Sequence, residues 1–458
     1  MKRIRALRLL SLLLVPALFT AACSQRDDDD EGTGNDNNGD SGGEESSIDT
    51  SNCSSDPTAE IEGDTITLVS SFPQSGLTAA FAQIANGWKS YFSMINDEGG
   101  VEIGDKTFQL AWEDKDDQYD AAETVANVEE LMGADNDGGL GTFSVVGTSN
   151  NLAIREQLGA ACVPNLFAAT GSPAWGNPDY PWLIGGTIPP YSLESYVFVE
   201  LLKKEKPDAK VAVLVQDDDF GAGYADSLDK AIEGTDIEVV ATERYAPGAQ
   251  SDVSSQITSL AASGADVFFN GGTLLPCPDA LTKAAQAGWE REITWVSGTC
   301  ISKTLMGLAG EAAAGVYSIS NIKDPLDPQY DSDEAMSLYK EKVAQYTPEA
   351  DIENGIVAYG WTQAAVFVEA LQNAEGPTRL AIMESVRDLD LGDDIGLLAA
   401  DTGVKTDGAD DPYMGERFNL VQYDFQGADA KNHFTIVEAY DYEGETAELT
   451  PEDLVTGD

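Results

Sequence analysis

A single histidine and only 26 basic residues stand against 80 acids in this chain of 458. Both shortages exclude functions. His433 is the sole imidazole, so a Ser–His or Cys–His nucleophile system would depend on that residue alone. No His, Cys or acid spacing matches a zinc site, and no G-x-S-x-G elbow or phosphate-cradling loop occurs. Catalysis, a cofactor and a metal are therefore not expected. The formal net charge is -54. A nucleic-acid partner needs a basic footprint that is missing here, and anionic lipid headgroups would be repelled. The acids are spread along the chain, which describes a soluble acidic surface and says nothing about substrate.

Long apolar runs are also scarce. The one near the start, residues 9–19, is too short for a comfortable membrane span. It follows Lys2, Arg3, Arg5 and Arg8 and precedes the small residues "TAAC". That order reads as a secretory signal over residues 1–22. Cys23 directly after Ala-Ala looks like the lipid-modified first residue of a bacterial lipoprotein, although Thr20 stands where such signals usually have Leu. Residues 23–60 are acidic and rich in Gly, Ser and Asn, with almost no large apolar side chain. Such a segment cannot bury enough surface to offset its ordering entropy. It is expected to be a disordered tether with a mean span of about 35 Å.

Cysteine is sparse too. Beyond Cys23 there remain Cys53, Cys162, Cys277 and Cys300, and four cysteines in an oxidising compartment allow three connectivities. Cys277 opens a helix after one strand and Cys300 follows the next strand, which favours Cys277–Cys300 and leaves Cys53–Cys162.

What the chain does have is rhythm. "TITLVSS" is a β-rich run. Phe81, Ile84, Ala85, Trp88, Phe92 and Ile95 then repeat at helical spacing up to "NDEGG". "FQLAW", a helix over 120–132, "FSVVG", "NLAIREQLGA" and "VPNLFAAT" continue the alternation. A Gly- and Pro-dense stretch, 171–190, reads as a crossover. The pattern restarts with a helix at 193–203, "KVAVLVQ", "YADSLDKAI", "IEVVAT", "DVSSQITSLAAS", "DVFFNGG", "DALTKAAQAG" and "ITWVSG". Helices are expected at 334–346, 355–373 and 379–389, and strands at "RFNLVQYDF" and "FTIVEAYDY". The fold class is α/β, two lobes of mostly parallel sheet flanked by helices.

Open parallel sheets hold ligands beyond the carboxyl ends of their strands. The segment "VLVQDDDFGAGYADSL" is one such end. Its Gly221-x-Gly223 imitates a dinucleotide fingerprint, but Asp226 replaces the third glycine and three aspartates would repel a pyrophosphate. Neighbouring carboxylates at 217–219 point alternately and lack the spacing of a calcium loop. A turn with Asp218 or Asp219 capping a helix from about Gly221 is expected, with Phe220 on the cleft side. The acids of "EDKDD" read as a solvated loop. "GTSNN" puts Thr148, Ser149 and Asn150 at a helix N-terminus, where backbone N–H groups and polar side chains suit a carboxylate. The strand end "FAATGS" offers carbonyls to an ammonium or amide.

These segments together resemble one family. "ITLVSSFPQSGLTAAFAQIANGWKSYFSMINDEGGV", "EDKDDQYDAAETVANVEEL", "VVGTSNNLAIREQLGAACVPNLFAATGSPAW" and "VAVLVQDDDFGAGYADSL" resemble the branched-chain amino-acid-binding proteins of bacterial ABC importers. The resemblance covers about 65–321 and, more loosely, the rest. It implies a type I periplasmic-binding fold whose lobes, 61–186 plus 319–413 and 187–318 plus 414–450, close on a small ligand. Hinge strands are implied near 184–190, 317–325 and 412–417. By position, Ser149 and Asn150 match the carboxylate-holding end, and Ala169, Thr170 and Gly171 the strand end that holds both ends of an amino acid. Phe220 matches a stacking aromatic, Thr273 and Leu274 a wall, and Phe81 or Ser75 an inward-facing residue.

Two positions depart from the family. Phe220 lacks the hydroxyl of the usual Tyr, and Thr299 stands where an acid commonly pairs with the ligand's ammonium. The expected role is thus an extracytoplasmic, lipid-anchored, monomeric binding protein feeding an ABC permease, with an amino acid or analogue as ligand. The alternatives are a sensor domain of the same fold, or a binder of amides, urea or small carboxylates.

Overall fold

The computed structural model describes residues 48–456 except 77, 248–251 and 409. All of these belong to the compact unit Ser46–Asp458. The signal segment, Cys23 and the tether as far as residue 47 lie outside the described residues.

Two sheets organise the unit. The first holds β1 (Thr65–Phe72), β2 (Val101–Ile103), β3 (Lys106–Asp116), β4 (Gly141–Phe143), β5 (Asn165–Ala168) and β6 (Leu183–Gly185), in the order β2-β3-β1-β4-β5-β6. Only β2 runs antiparallel to its neighbour. The second holds β7 (Lys210–Gln216), β8 (Glu238–Tyr245), β9 (Val267–Gly271), β10 (Ile293–Val296) and β11 (Tyr317–Ser320). These five are parallel. Two later strands, Arg417–Asp424 and His433–Asp441, extend its edge as an antiparallel pair beside β11.

The strands β4, β5, β6, β7 and β9 are almost wholly buried because helices cover both faces, whereas β3 and β8 are largely exposed or half-buried. Several end earlier than the apolar runs suggest. In "FSVVG" the ladder stops at Phe143 because Ser144 takes a left-handed backbone, φ 57°. In "VPNLFAAT" Phe167 does the same at φ 54° and interrupts the register with β6. The Gly/Pro-dense stretch is not all crossover, because β6 joins the first sheet from inside it.

Helices α1 (Ala82–Asp97), α2 (Ala121–Met132) and α3 (Thr148–Ala161) belong to the first sheet. Helices α4 (Tyr191–Glu205), α5 (Asp219–Ala231), α6 (Ser254–Ala262), α7 (Pro276–Gln286) and α8 (Lys303–Ala309) belong to the second. The chain then returns to the first lobe with α9 (Glu334–Tyr346), α10 (Gly355–Asn373) and α11 (Arg379–Val386). Helix α10 is apolar on nearly every face because most of its length, 13 of 19 residues, is buried. It crosses α1 at backbone contact: a Cβ on Gly360 would sit 1.9 Å from the Ile84 carbonyl, and one on Gly87 2.1 Å from that of Val357. Trp88, Phe92, Phe143, Phe167 and Phe367 fill the first core, with ring centroids 5.0–6.1 Å apart. Phe198, Phe269 and Trp295 anchor the second.

Three segments connect the lobes: 186–190, 321–333 and 406–416. They touch one another, for Asn321 Nδ2 donates to the Thr187 carbonyl at 2.5 Å.

One expectation is corrected at the front of the unit. Residues 48–60 are not free tether. Cys53 is bonded to Cys162, Ile48 is buried, and Ser54 N–H donates to the Ala160 carbonyl at 2.9 Å. A covalent cross-link and a buried side chain hold what composition alone leaves loose. Cys277 is bonded to Cys300 across the ends of α7 and β10.

Candidate functional site: a cavity between the two sheets

The carboxyl ends of both sheets face a cavity of about 140 Å³. A dry cavity of about that size holds a benzene-sized molecule in other proteins. The walls are mostly apolar, and much of them follows from strand ends, with α1, α4, α5 and α10 supplying the rest.

Tyr119 leaves the end of β3 on a left-handed backbone, φ 67°, after Gln118 at φ 52°. Asp117 holds this turn. Its carboxylate accepts the Tyr119 N–H at 2.9 Å and the hydroxyls of Ser71 and Thr124 at 2.9 Å each. Asn150 Nδ2 donates to the Thr124 hydroxyl at 2.7 Å, and Asn127 Nδ2 to that of Ser71 at 3.1 Å. Asp117 is completely buried, and burial pushes its carboxyl up while these donors pull it down. The acid run is therefore not a solvated loop: Glu113, Asp114 and Asp116 lie on β3, and Asp117 is the keystone of a buried polar network.

Beyond β4, Gly147 occupies the position before α3 at φ 104°. A Cβ there would lie 2.8 Å from Asn150 Oδ1 and 2.9 Å from the Tyr119 ring, so only glycine fits. Having no side chain, Gly147 cannot cap α3, and the first-turn N–H groups are left to whatever occupies the cavity. Thr148 Oγ1 meets Thr170 Oγ1 at 2.6 Å, and Thr170 Oγ1 meets the Tyr191 hydroxyl at 3.2 Å. This chain of hydroxyls runs from the first lobe to the start of α4.

The second wall is aromatic. Phe220 stands edge-on to Tyr191 and Tyr224, with centroids 5.2 and 5.4 Å away. Asp218 caps its helix by accepting the Gly221 N–H at 3.2 Å, and α5 starts at Asp219. Gly221 is therefore inside the helix, not in the turn. It brings the helix onto β7, since a Cβ there would lie 1.8 Å from the Gln216 carbonyl. Thr299 Oγ1 pairs with Ser297 Oγ at 2.8 Å.

Glu194 also lines the cavity, 1% exposed, and burial pushes its carboxyl up to about 7. Two buried hydroxyls on the wall have no partner: Thr273 Oγ1 from the second lobe and Tyr359 OH from α10. Buried polar atoms are nearly always paired, and these two hydroxyls are free to bond a polar group within the cavity.

The structure brings Phe81, Thr148, Ala169, Thr170, Phe220, Thr273 and Thr299 to the wall. Five other residues lie elsewhere. Ser75 is exposed and its hydroxyl donates to Asp116. Ser149 turns outward and donates to Asp219 Oδ2 of the facing lobe at 2.7 Å. Asn150 is consumed by the Asp117 network. Gly171 packs beneath the Tyr191 ring, and Leu274 joins a core behind the wall. Sequence reasoning missed Tyr119, Tyr191, Glu194 and Tyr359. Tyr191 and Glu194 carried one local signal: they share a helix face at i, i+3 just after Pro189-Pro190. Among the described residues no cluster of His, Cys, Asp and Glu could hold a metal ion, and no helix is long and apolar enough to cross a membrane.

Comparison with known proteins agrees with this architecture. The family model described as periplasmic binding protein matches residues 65–428. The Leu/Ile/Val-binding protein homolog 7 of Brucella suis is 23% identical over 357 residues, 75% of this chain and 85% of that protein. A branched chain amino acid ABC transporter structure from Thermus thermophilus with bound valine has a TM-score of 0.71 at 18% identity, covering 85% of this chain and 99% of that one. The branched-chain amino acid transporter substrate binding protein of Streptococcus pneumoniae, in complex with isoleucine, has a TM-score of 0.61 at 18% identity, covering 82% and 100%. At such identities the solved structures speak for the fold. The family match spans most of the chain: it belongs to the periplasmic binding proteins, a family that works outside the cytoplasm.

Proposed function

We propose that the protein binds a small aliphatic amino acid between its lobes and delivers it to an ABC permease. The observation that carries the reading is the cavity itself. It is lined mostly by apolar surface, opens onto an uncapped helix N-terminus, and carries the unpartnered hydroxyls of Thr273 and Tyr359. An apolar wall suits a hydrocarbon side chain, and the free N–H groups suit a carboxylate. The named ligands of relatives, valine and isoleucine, fit this chemistry.

Binding proceeds by closure of the lobes about the segments 186–190, 321–333 and 406–416. Ser149–Asp219 is one of the contacts closure makes. The reading extends to residues outside the described part: Cys23 carries the lipid, and the protein acts as a monomer on the outer face of the membrane. Mass spectrometry of the membrane-extracted protein tests the lipid.

A thermal-shift series tests the ligand, with leucine, isoleucine, valine, aromatic and acidic amino acids, short amides, urea and simple carboxylates. A ligand present at a thousand times its Kd stabilises by about 4 kcal/mol. A shift with the aliphatic amino acids supports the reading. A shift with carboxylates or amides alone replaces the ligand class, and no shift at all with ligand-stripped protein removes the cavity as the site.

A further inference from the structure

The loop Gly298–Cys300 carries no acid, yet a carboxylate reaches it from elsewhere. Glu194, on the first turn of α4, points its side chain at this loop from below. Its Oε1 accepts Trp295 Nε1 at 2.9 Å and the Gly298 N–H at 3.0 Å. Its Oε2 accepts the Tyr224 hydroxyl at 2.8 Å and shares the Gly298 N–H at 3.2 Å. Three donors thus serve a group with about four lone-pair sites; with the Gly298 N–H counted to Oε1, the nearer oxygen, one site on Oε2 is left.

No cation is among these partners. The other charged groups of the cavity wall are committed. Lys303 pairs with Asp351 at 3.3 Å and Glu353 at 2.6 Å, and Lys323 pairs with Asp333 at 2.8 Å. Asp324 accepts the backbone N–H groups of Leu326 and Phe434, at 2.9 and 3.0 Å. Of the charged groups on the cavity wall, Glu194 alone is fully buried with hydrogen-bond donors and no counter-charge. Burying a lone anion is costly, and a neutral side chain could hold the same loop.

We infer that Glu194 is the anionic anchor of the site and selects ligands that carry an ammonium group. This rests on the proposed function and deepens it. The acid that the loop lacks at Thr299 is supplied in space from α4. A ligand ammonium entering beside Gly298 meets the remaining lone pair of Oε2, while its carboxylate lies toward the N-terminus of α3. The competing explanation is purely mechanical: Glu194 ties α4 to β10 and ligands ignore its charge.

Three compounds with one carbon skeleton separate these readings by titration calorimetry: leucine, 4-methylpentanoate without the ammonium, and 3-methylbutylamine without the carboxylate. The wild-type protein is expected to bind leucine at least about a hundredfold more tightly than 4-methylpentanoate, because a site built around a polar partner rejects the analogue lacking it. Glu194→Gln keeps the shape and is expected to weaken leucine about thirtyfold or more. It should leave 4-methylpentanoate within about threefold, and it should abolish any binding of 3-methylbutylamine. Leucine binding unchanged in Glu194→Gln overturns the anchor and leaves the proposed function standing. So does a wild-type protein that binds 4-methylpentanoate as tightly as leucine, a comparison that needs no variant to fold. Failure of all three compounds to bind overturns both readings.

Discussion

The two walls of the cavity come from the same topological place, the carboxyl ends of parallel strands, yet they are built from different materials. At the end of α3 the first-lobe wall is backbone and small hydroxyls, Gly147, Thr148, Ala169 and Thr170, beside the rings of Phe81, Tyr119 and Tyr359, and it rests on the buried network of Asp117, Ser71, Thr124, Asn127 and Asn150. The second-lobe wall centres on a packed group of rings, Phe220, Tyr191 and Tyr224, with Glu194, Thr273 and Thr299 beside them. The first wall depends on backbone shape, since its turns use left-handed residues and an uncapped helix. The second depends on side-chain packing. Damage to each should therefore look different.

The largest effect is expected on the second wall. Phe220 is 3% exposed and touches two other rings. Phe220→Ala should lower stability by about 4 kcal/mol, by lost transfer and an unfilled cavity, and should weaken ligand binding as well. Denaturant unfolding and calorimetry measure both. A stability loss below about 1 kcal/mol would mean that the rings do not act as packing.

On the first wall, Gly147→Ala should cost about 3 kcal/mol, because φ 104° is a backbone region reserved for glycine and the new Cβ meets Asn150 and Tyr119. Its signature should be a loss of affinity out of proportion to the loss of stability, since it disturbs the N-terminus of α3. Equal melting temperatures for variant and wild type would break the comparison.

The pH dependence sharpens it further. Burial raises Glu194 from 4.5 to about 7, so the folded protein holds this proton more tightly than the unfolded chain. Its contribution is full below about 4.5 and is lost as pH rises through about 7, up to about 3 kcal/mol in the ligand-free protein. Burial also raises Glu416, to about 8, in the same direction. Melting curves of wild type and Glu194→Gln from pH 4 to 8 isolate the first term. The variant should fall less steeply, and parallel curves would show that Glu194 does not titrate there.

The smallest effect is at Thr273. Its hydroxyl makes no hydrogen bond within the protein, so Thr273→Val should leave stability within about 0.5 kcal/mol. Affinity should fall about tenfold, one hydrogen bond's share. Unchanged affinity would remove this hydroxyl from the site.

The alternation of strand and helix, the two-lobe plan, and the order of motifs were legible in the chain because each rests on local spacing. Period 3.6 placed α1 and α10, and short β-rich runs between them marked the parallel strands. Strand ends were harder to read, because the left-handed backbone at Ser144 and Phe167 has no glycine to announce it. Phe220, Thr148 and Thr170 could be placed by position after a strand. Asn150 and Ser149 could not, because adjacent residues on a helix face different ways and only packing tells which side meets the cavity.

The sequence by itself determined the class of the protein: its acidity, its alternating plan, and the strand-end residues that line one face of each sheet. Which residues meet across the cleft was decided by tertiary structure. Glu194 lies 104 positions before the loop it contacts, and Asp117 is separated from Ser71 by 46. The reason is physical. Periodicity reports which side of an element is apolar, but a charge becomes an anchor only when the fold removes its water and chooses its neighbours.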